Sequence, residues 1–217
     1  MLGNGFKAKG VFLDLDGTIV DSTEAYLEAA KISFQAIGQP SPTSEIAMEI
    51  PRRLELGFSI EDITYGEAKR FLNTYLKTYY LITQQKTKLI PNVKTTLEAL
   101  ATKQKLALIT MRHVSKQSVL EELEFLGIAR CFTHVVTALD TPKPKPSPDA
   151  LLSCVRTLHI DISDCLIAGD SVNDVRAGKA AGAKTVAVLS GLFKSGELAK
   201  EEPDLILDDV TALPNFI

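Results

Sequence analysis

Cysteine is scarce in this 217-residue chain, with only Cys131, Cys154 and Cys165. The number is odd and no two form a CxxC pair, which argues against a disulfide framework and against a thiolate zinc site. Free buried thiols in a reducing compartment are the expectation. Histidine is equally sparse, and His113, His134 and His159 show no metal-ligand spacing. Long apolar runs are missing too. Nothing approaches the ~20 residues that a membrane span needs, and the opening "MLGNGFKAKG" lacks an apolar centre for a signal peptide. A cytoplasmic protein without a membrane partner is therefore expected. Neither sign of charge is in large excess: 24 Lys and Arg stand against 27 Asp and Glu, a net charge of −3. Such a balance gives no electrostatic reason to bind nucleic acid. Internal repeats and low-complexity tracts are absent, and the proline-rich "TPKPKPSP" at 141–148 is too short for a linker.

What the chain does have is a series of short apolar runs. They are "VFLDL" (11–15), "LALIT" (106–110), "HVVTA" (134–138), "CLIAG" (165–169), "TVAVLS" (185–190) and "DLIL" (204–207). Runs apolar at most positions suit strands buried on both faces. Helix-like segments separate the later ones: "NVKTTLEALATK", "VSKQSVLEELEFLG", "PDALLSCVRTLH" and "VNDVRAGKAAG". Strand alternating with helix predicts an α/β fold with a parallel, Rossmann-like sheet.

About ninety residues separate the first two runs, far more than an ordinary crossover needs. Most of them read as helix. "TEAYLEAAKISFQAIG" has apolar residues at three-to-four spacing and stops at Gly38. "SPTSEIAMEIPRRLELG" is expected to break at Pro51. "SIEDITYGEAKRFLNTYLKTYYLIT" is expected to start at Ser59, with Asp62 completing a capping box. The expected organisation is a core of residues 1–19 and 89–217, with a helical insertion at 20–88.

Polar residues gather where the runs end. Asp14 and Asp16 close the first, Thr110 closes the second, Lys143 and Lys145 follow the third, and Asp170, Ser171 and Asp174 follow the fourth. In open parallel sheets, ligands bind beyond the carboxyl ends of the strands. Singly, Asp170 or Asp174 reads as a helix cap, Thr110 as a β-branched strand end, and the lysines as a solvated loop. Asp14 is different, because an acid at the end of a core strand needs a partner or a metal. Together, four loops offer hard oxygens and a lysine, a set that suits Mg²⁺ and a phosphate.

"DLDGT" at 14–18, Thr110, "KPSPD" at 145–149 and "GDSVND" at 169–174 resemble, in order, the four motifs of the haloacid dehalogenase (HAD) superfamily. The insertion is similar in place and size to that family's C1 cap. "AGDSVNDVRAGKAAGAKTVAV" resembles the phosphoglycolate phosphatase-like and β-phosphoglucomutase-like members most. This resemblance implies a phosphatase acting on a small phosphorylated metabolite. A carboxylate nucleophile splits phosphate ester hydrolysis into two steps, and that role falls to Asp14. The resemblance implies Mg²⁺ held by an Asp14 oxygen, the Asp16 main-chain carbonyl and Asp170. Asp174 is expected behind them, orienting metal-bound water or Lys145. Thr110 and the Met111 N–H would bind phosphoryl oxygens, and a lysine would compensate the acids.

Asp16 supplies a second acid able to donate a proton and later to activate water. By resemblance it also speaks against a dehalogenase. Lys145 is preferred to Lys143 because "KPSPD" resembles the family's lysine–proline–any–proline–acid pattern, whereas Lys143 would leave Ser147 where that pattern has an acid. The insertion is expected to choose the substrate. There Arg53, beside Arg52, is either a solvated basic residue or a ligand for a second anionic group. Arg112 is another candidate. Alternatives are a phosphomutase on the same scaffold and a non-catalytic phosphate-binding module, for which the second acid would be superfluous.

Overall fold

Six short strands pair in parallel to make the central sheet of the computed structural model, which describes residues 6–217. They are β1 (Gly10–Leu13), β2 (Lys105–Ile109), β3 (His134–Val136), β4 (Cys165–Gly169), β5 (Lys184–Val188) and β6 (Leu205–Leu207). Their spatial order is β3-β2-β1-β4-β5-β6. The chain moves outward from β1 to β2 and β3, then returns to lay β4 on the other side of β1. Strand order thus reverses at β1, the place where such sheets open a crevice at their carboxyl edge.

Side-chain alternation divides the core between the two faces of the sheet. Val11, Leu13, Leu106, Leu108, Leu166 and Val186 point to one face. There they meet α4 (Val93–Ala101) and α5 (Lys116–Phe125) through Leu97 and Leu123. Phe12, Ala107, Ile109, Val136 and Ile167 point to the other, against α6 (Asp149–Leu158) and α7 (Val172–Ala181). Burial on both sides explains why these strands read as nearly continuous apolar runs. The three cysteines are buried and free. Burial pushes the Cys154 and Cys165 thiols up to about 12, which leaves them poor nucleophiles.

The chain divides into two compact units. One ends its first segment at Val20 and resumes at Leu89, and the other is Asp21–Lys88. The second holds α1 (Thr23–Ala36), α2 (Ser44–Leu56) and α3 (Ala68–Lys86). Its own core includes Phe34, Ile50, Phe71, Tyr75 and Tyr79. The last three recur every four residues, so α3 presents one aromatic stripe.

Two local expectations for this unit fail. Pro51 does not end its helix, and α2 runs through it to Gly57. The proline removes one N–H, while a Thr43 N-cap and the burial of Ala47, Ile50 and Pro51 hold the rest. Nor does α3 begin at Ser59. Tyr65 and Gly66 take left-handed backbone angles (φ 55° and 81°), which a continuous helix excludes. The supposed capping box is otherwise engaged. The Ser59 hydroxyl accepts from the Glu61 N–H, and Asp62 pairs with Arg53 at 2.6 Å. Helix α8 (Ser195–Lys200) and a 3₁₀ turn at Val210–Asn215 follow β5 and β6 without having been anticipated. Among the described residues, no helix is long and apolar enough to cross a membrane.

Candidate active site

Register brings the strand-end residues to one edge. Leu13 lies level with Leu108 of β2 and Ala168 of β4, and the Asp14 N–H donates to the Ala168 carbonyl at 3.0 Å. One residue beyond this level on β1 comes Asp14, and two residues beyond it on β2 and β4 come Thr110 and Asp170. All three are buried.

Lys145 reaches this edge from the loop before α6. Its Nζ donates to Asp14 Oδ1 (2.6 Å), to Asp174 Oδ1 (2.6 Å) and to the Ile109 carbonyl (3.1 Å). An ammonium has three donors, and here each has an acceptor. Burial alone would lower the Lys145 pKa, but the two carboxylates overcome it and hold the group protonated. Lys143, two residues earlier, is exposed. Asp174 serves two neighbours at once. As the third residue of α7 it closes a capping box with Ser171, accepting the Ser171 N–H on Oδ2 at 3.2 Å, while Oδ1 faces Lys145. The cap and the site roles are thus one arrangement. A Cβ on Gly169 would lie 2.1 Å from the Asp174 carboxylate, so the strand must end in glycine for the acid to lie there.

Asp14, Asp170 and Asp174 place carboxylate oxygens within 4.8 Å of one another. With all three ionised, the single Lys145 ammonium leaves two negative charges uncompensated, the complement of a divalent cation. Without that cation the cluster favours a proton. Burial first, and the neighbouring Asp174 and Asp16 carboxylates, push Asp14 up to about 8 against the pull of Lys145. Every donor is a hard oxygen and none is a thiolate or imidazole, a set that fits Mg²⁺.

The loop after β5 was not foreseen as part of the site. The Leu192 N–H donates to Asp170 Oδ2 at 2.8 Å, and the Ser190 hydroxyl donates to the Gly17 carbonyl at 2.7 Å. Gly191 packs so closely that a Cβ there would sit 1.8 Å from Asp170 Oδ2. "SGL" reads as an ordinary turn. Its one clue is its place just beyond a parallel strand, on the edge where the acids gather.

Asp16 faces a different partner. Its Oδ1 and Oδ2 accept from Arg112 Nη2 and Nε, both at 2.7 Å, a bidentate pair. Arg112 Nη1 donates in turn to Glu122 Oε2 at 2.5 Å. Thr110 Oγ1 accepts the Arg112 N–H at 3.2 Å, so the strand-end hydroxyl also shapes the turn that carries Arg112. Met111 is half-buried between them, and His113 is exposed. Glu122 is absent from the sequence-based candidates, since a glutamate in a surface helix is ordinarily a solvated charge.

Arg53 belongs to the other unit. There Glu49 Oε1 (3.0 Å), the Ser59 carbonyl (3.1 Å) and Asp62 Oδ1 (2.6 Å) accept from its guanidinium. Those side-chain contacts hold its pKa above the usual arginine value. The structure therefore gives Arg53 partners within the insertion.

A family model described as "Haloacid dehalogenase-like hydrolase" matches residues 11–188. A phosphoglycolate phosphatase of Salmonella paratyphi A is 32% identical over 230 aligned positions, spanning 94% of this chain and 90% of that protein. A Clostridium perfringens protein whose name assigns it provisionally as the pyrophosphatase PpaX is 30% identical, over 92% of each. Among solved structures, one from Haemophilus somnus, described as a predicted phosphoglycolate phosphatase, superposes with a TM-score of 0.78. Its identity is 25%, with 96% of this chain and 97% of that one covered.

Proposed function

Since the chain belongs to the haloacid dehalogenase-like hydrolases and is a phosphatase of that family, we propose that it hydrolyses a small phosphorylated metabolite through an aspartyl-phosphate on Asp14, with Mg²⁺. The substrate is of the phosphoglycolate or sugar-phosphate kind. The observation that carries this reading is the contact of one buried lysine with both Asp14 and Asp174, beside Asp170.

Asp14, Asp170 and the Asp16 main-chain carbonyl would hold the Mg²⁺, which when bound neutralises charge on the phosphoryl oxygens. Thr110 and the Met111 N–H bind those oxygens and orient the phosphorus toward Asp14, which Lys145 holds in place. An Asp14 oxygen attacks phosphorus, and the bond to the leaving oxygen breaks. Asp16 gives that oxygen its proton. Asp16 then takes a proton from a water whose oxygen attacks the phosphoryl group. The Asp14–phosphorus bond breaks, inorganic phosphate leaves, and both acids return to their starting states. Lys145 keeps its proton throughout and offsets charge that accumulates on Asp14 as the intermediate breaks down.

Phosphate release tests this directly. Phosphoglycolate, pyrophosphate, sugar phosphates and nucleotides are offered to EDTA-treated protein, then again with Mg²⁺. Activity should be absent in the first case and restored in the second. Full turnover by metal-free protein would rule the mechanism out.

A further inference from the structure

We propose that Arg112 is the positioning residue for Asp16 and that Glu122 anchors Arg112, so that the buried Arg112–Glu122 pair aims the half-buried acid–base carboxylate. The proposal rests on the reading of Asp16 as the group that moves the proton.

Three observations support it. The first is geometry. A carboxylate on a short side chain turns freely about its last bond, and two contacts at 2.7 Å to one planar guanidinium fix its plane. Arg112 takes one lone-pair site on each Asp16 oxygen.

The second is burial. The side chains of Arg112 and Glu122 are 4% and 6% exposed. Glu122 stands in the buried stripe of α5 between Val119 and Leu123, where a leucine or glutamine would pack at less desolvation cost. Replacing a buried ion pair by apolar groups is often neutral or stabilising, so stability alone is a weak reason for a glutamate there.

The third is charge. Asp16 and Glu122 flank one guanidinium, and the lever from α5 to Asp16 crosses 96 positions of sequence at its final contact. Neither Asp16 nor Glu122 takes part in the Asp14–Asp170–Asp174 cluster.

The test is a double-mutant cycle read in kcat and KM. Arg112→Lys keeps the charge and loses the fork. It should lower kcat by roughly 10- to 100-fold, the scale of an ångström-size misplacement, with KM changed less than about two-fold. Glu122→Gln keeps shape and an acceptor oxygen. It should lower kcat by a smaller factor in the same direction. In an Asp16→Asn background, Arg112→Lys should cost nothing further, because its target is already disabled. Equal losses in both backgrounds would overturn the clamp and place Arg112 on the phosphoryl group instead. Wild-type kcat in both Arg112→Lys and Glu122→Gln, with only a lowered melting temperature, would overturn it too and leave a structural ion pair. If Asp16→Asn itself keeps full kcat, the acid–base reading fails and the clamp falls with it. If Asp16→Asn is slow while Arg112→Lys and Glu122→Gln are not, the clamp alone fails.

Discussion

Gly191→Ala is the sharpest perturbation that the site geometry offers. A Cβ at this position would lie 1.8 Å from Oδ2 of Asp170, 2.2 Å from Cγ and 2.5 Å from Cβ. Ordinary contact needs about 3.5 Å, so the loop or the carboxylate must give by about 1.7 Å. Asp170 has little room, since the Leu192 N–H and the Thr18 hydroxyl donate to its two oxygens. Losing the Leu192 bond to a charged acceptor costs roughly 1.5–3 kcal/mol. For a protein of this size that corresponds to a melting temperature lower by roughly 3–12 °C. An ångström of misplacement is commonly worth about 10² in rate, and a disturbed metal environment about 10–100-fold in affinity. The expected result is a folded protein with kcat down by about two orders of magnitude and a weaker Mg²⁺ midpoint in a titration of activity or of thermal stabilisation. Gly196→Ala is the control. It lies in α8 with no atom within 4 Å of the added carbon, and it should leave the rate unchanged. Wild-type kcat and Mg²⁺ affinity in Gly191→Ala would refute the claim that close approach of this loop holds Asp170.

Lys145→Ala should lower kcat by about 10²–10³, while exposed Lys143→Ala should leave it unchanged; steady-state kinetics of the two variants would expose an error of two residues in register. The same Lys145 change strands two buried carboxylates, so its melting temperature should fall, and Mg²⁺ should recover more stability for it than for the wild type, as calorimetry with and without the metal would record. Asp14→Asn should abolish turnover without loss of fold, because an amide is a poor nucleophile; near-normal kcat would remove Asp14 from that role.

The sequence by itself determined the strand–helix alternation. Strands buried on both faces must be apolar at nearly every position, and the observed β1 to β6 fall on the six runs that meet this demand. It also singled out Asp14, because an acid at the end of such a strand is costly without a partner. The preference for Lys145 over Lys143 rests on the resemblance of "KPSPD" to a family motif, and the structure buries Lys145 and exposes Lys143. The long insertion is expected from loop length together with the helix-like segments it contains.

Tertiary structure decided the rest. Pro51 inside α2 was misread because local propensity counts the missing N–H but not the burial that outweighs it. Asp62 was misread as a cap because it lies in a turn and its partner, Arg53, is nine positions away in α2. Glu122 and the Ser190–Leu192 turn carry no local mark, since a helix-face glutamate and a Ser-Gly turn are ordinary surface features. Their meaning comes from what they touch: Arg112 and through it Asp16 in one case, Gly17 and Asp170 in the other. Those neighbours are set by strand order and register. Hydrophobic pattern specifies that the strands form, but their side-by-side placement brings a glycine from a distant segment against Asp170, and a glutamate against the arginine that pairs with Asp16.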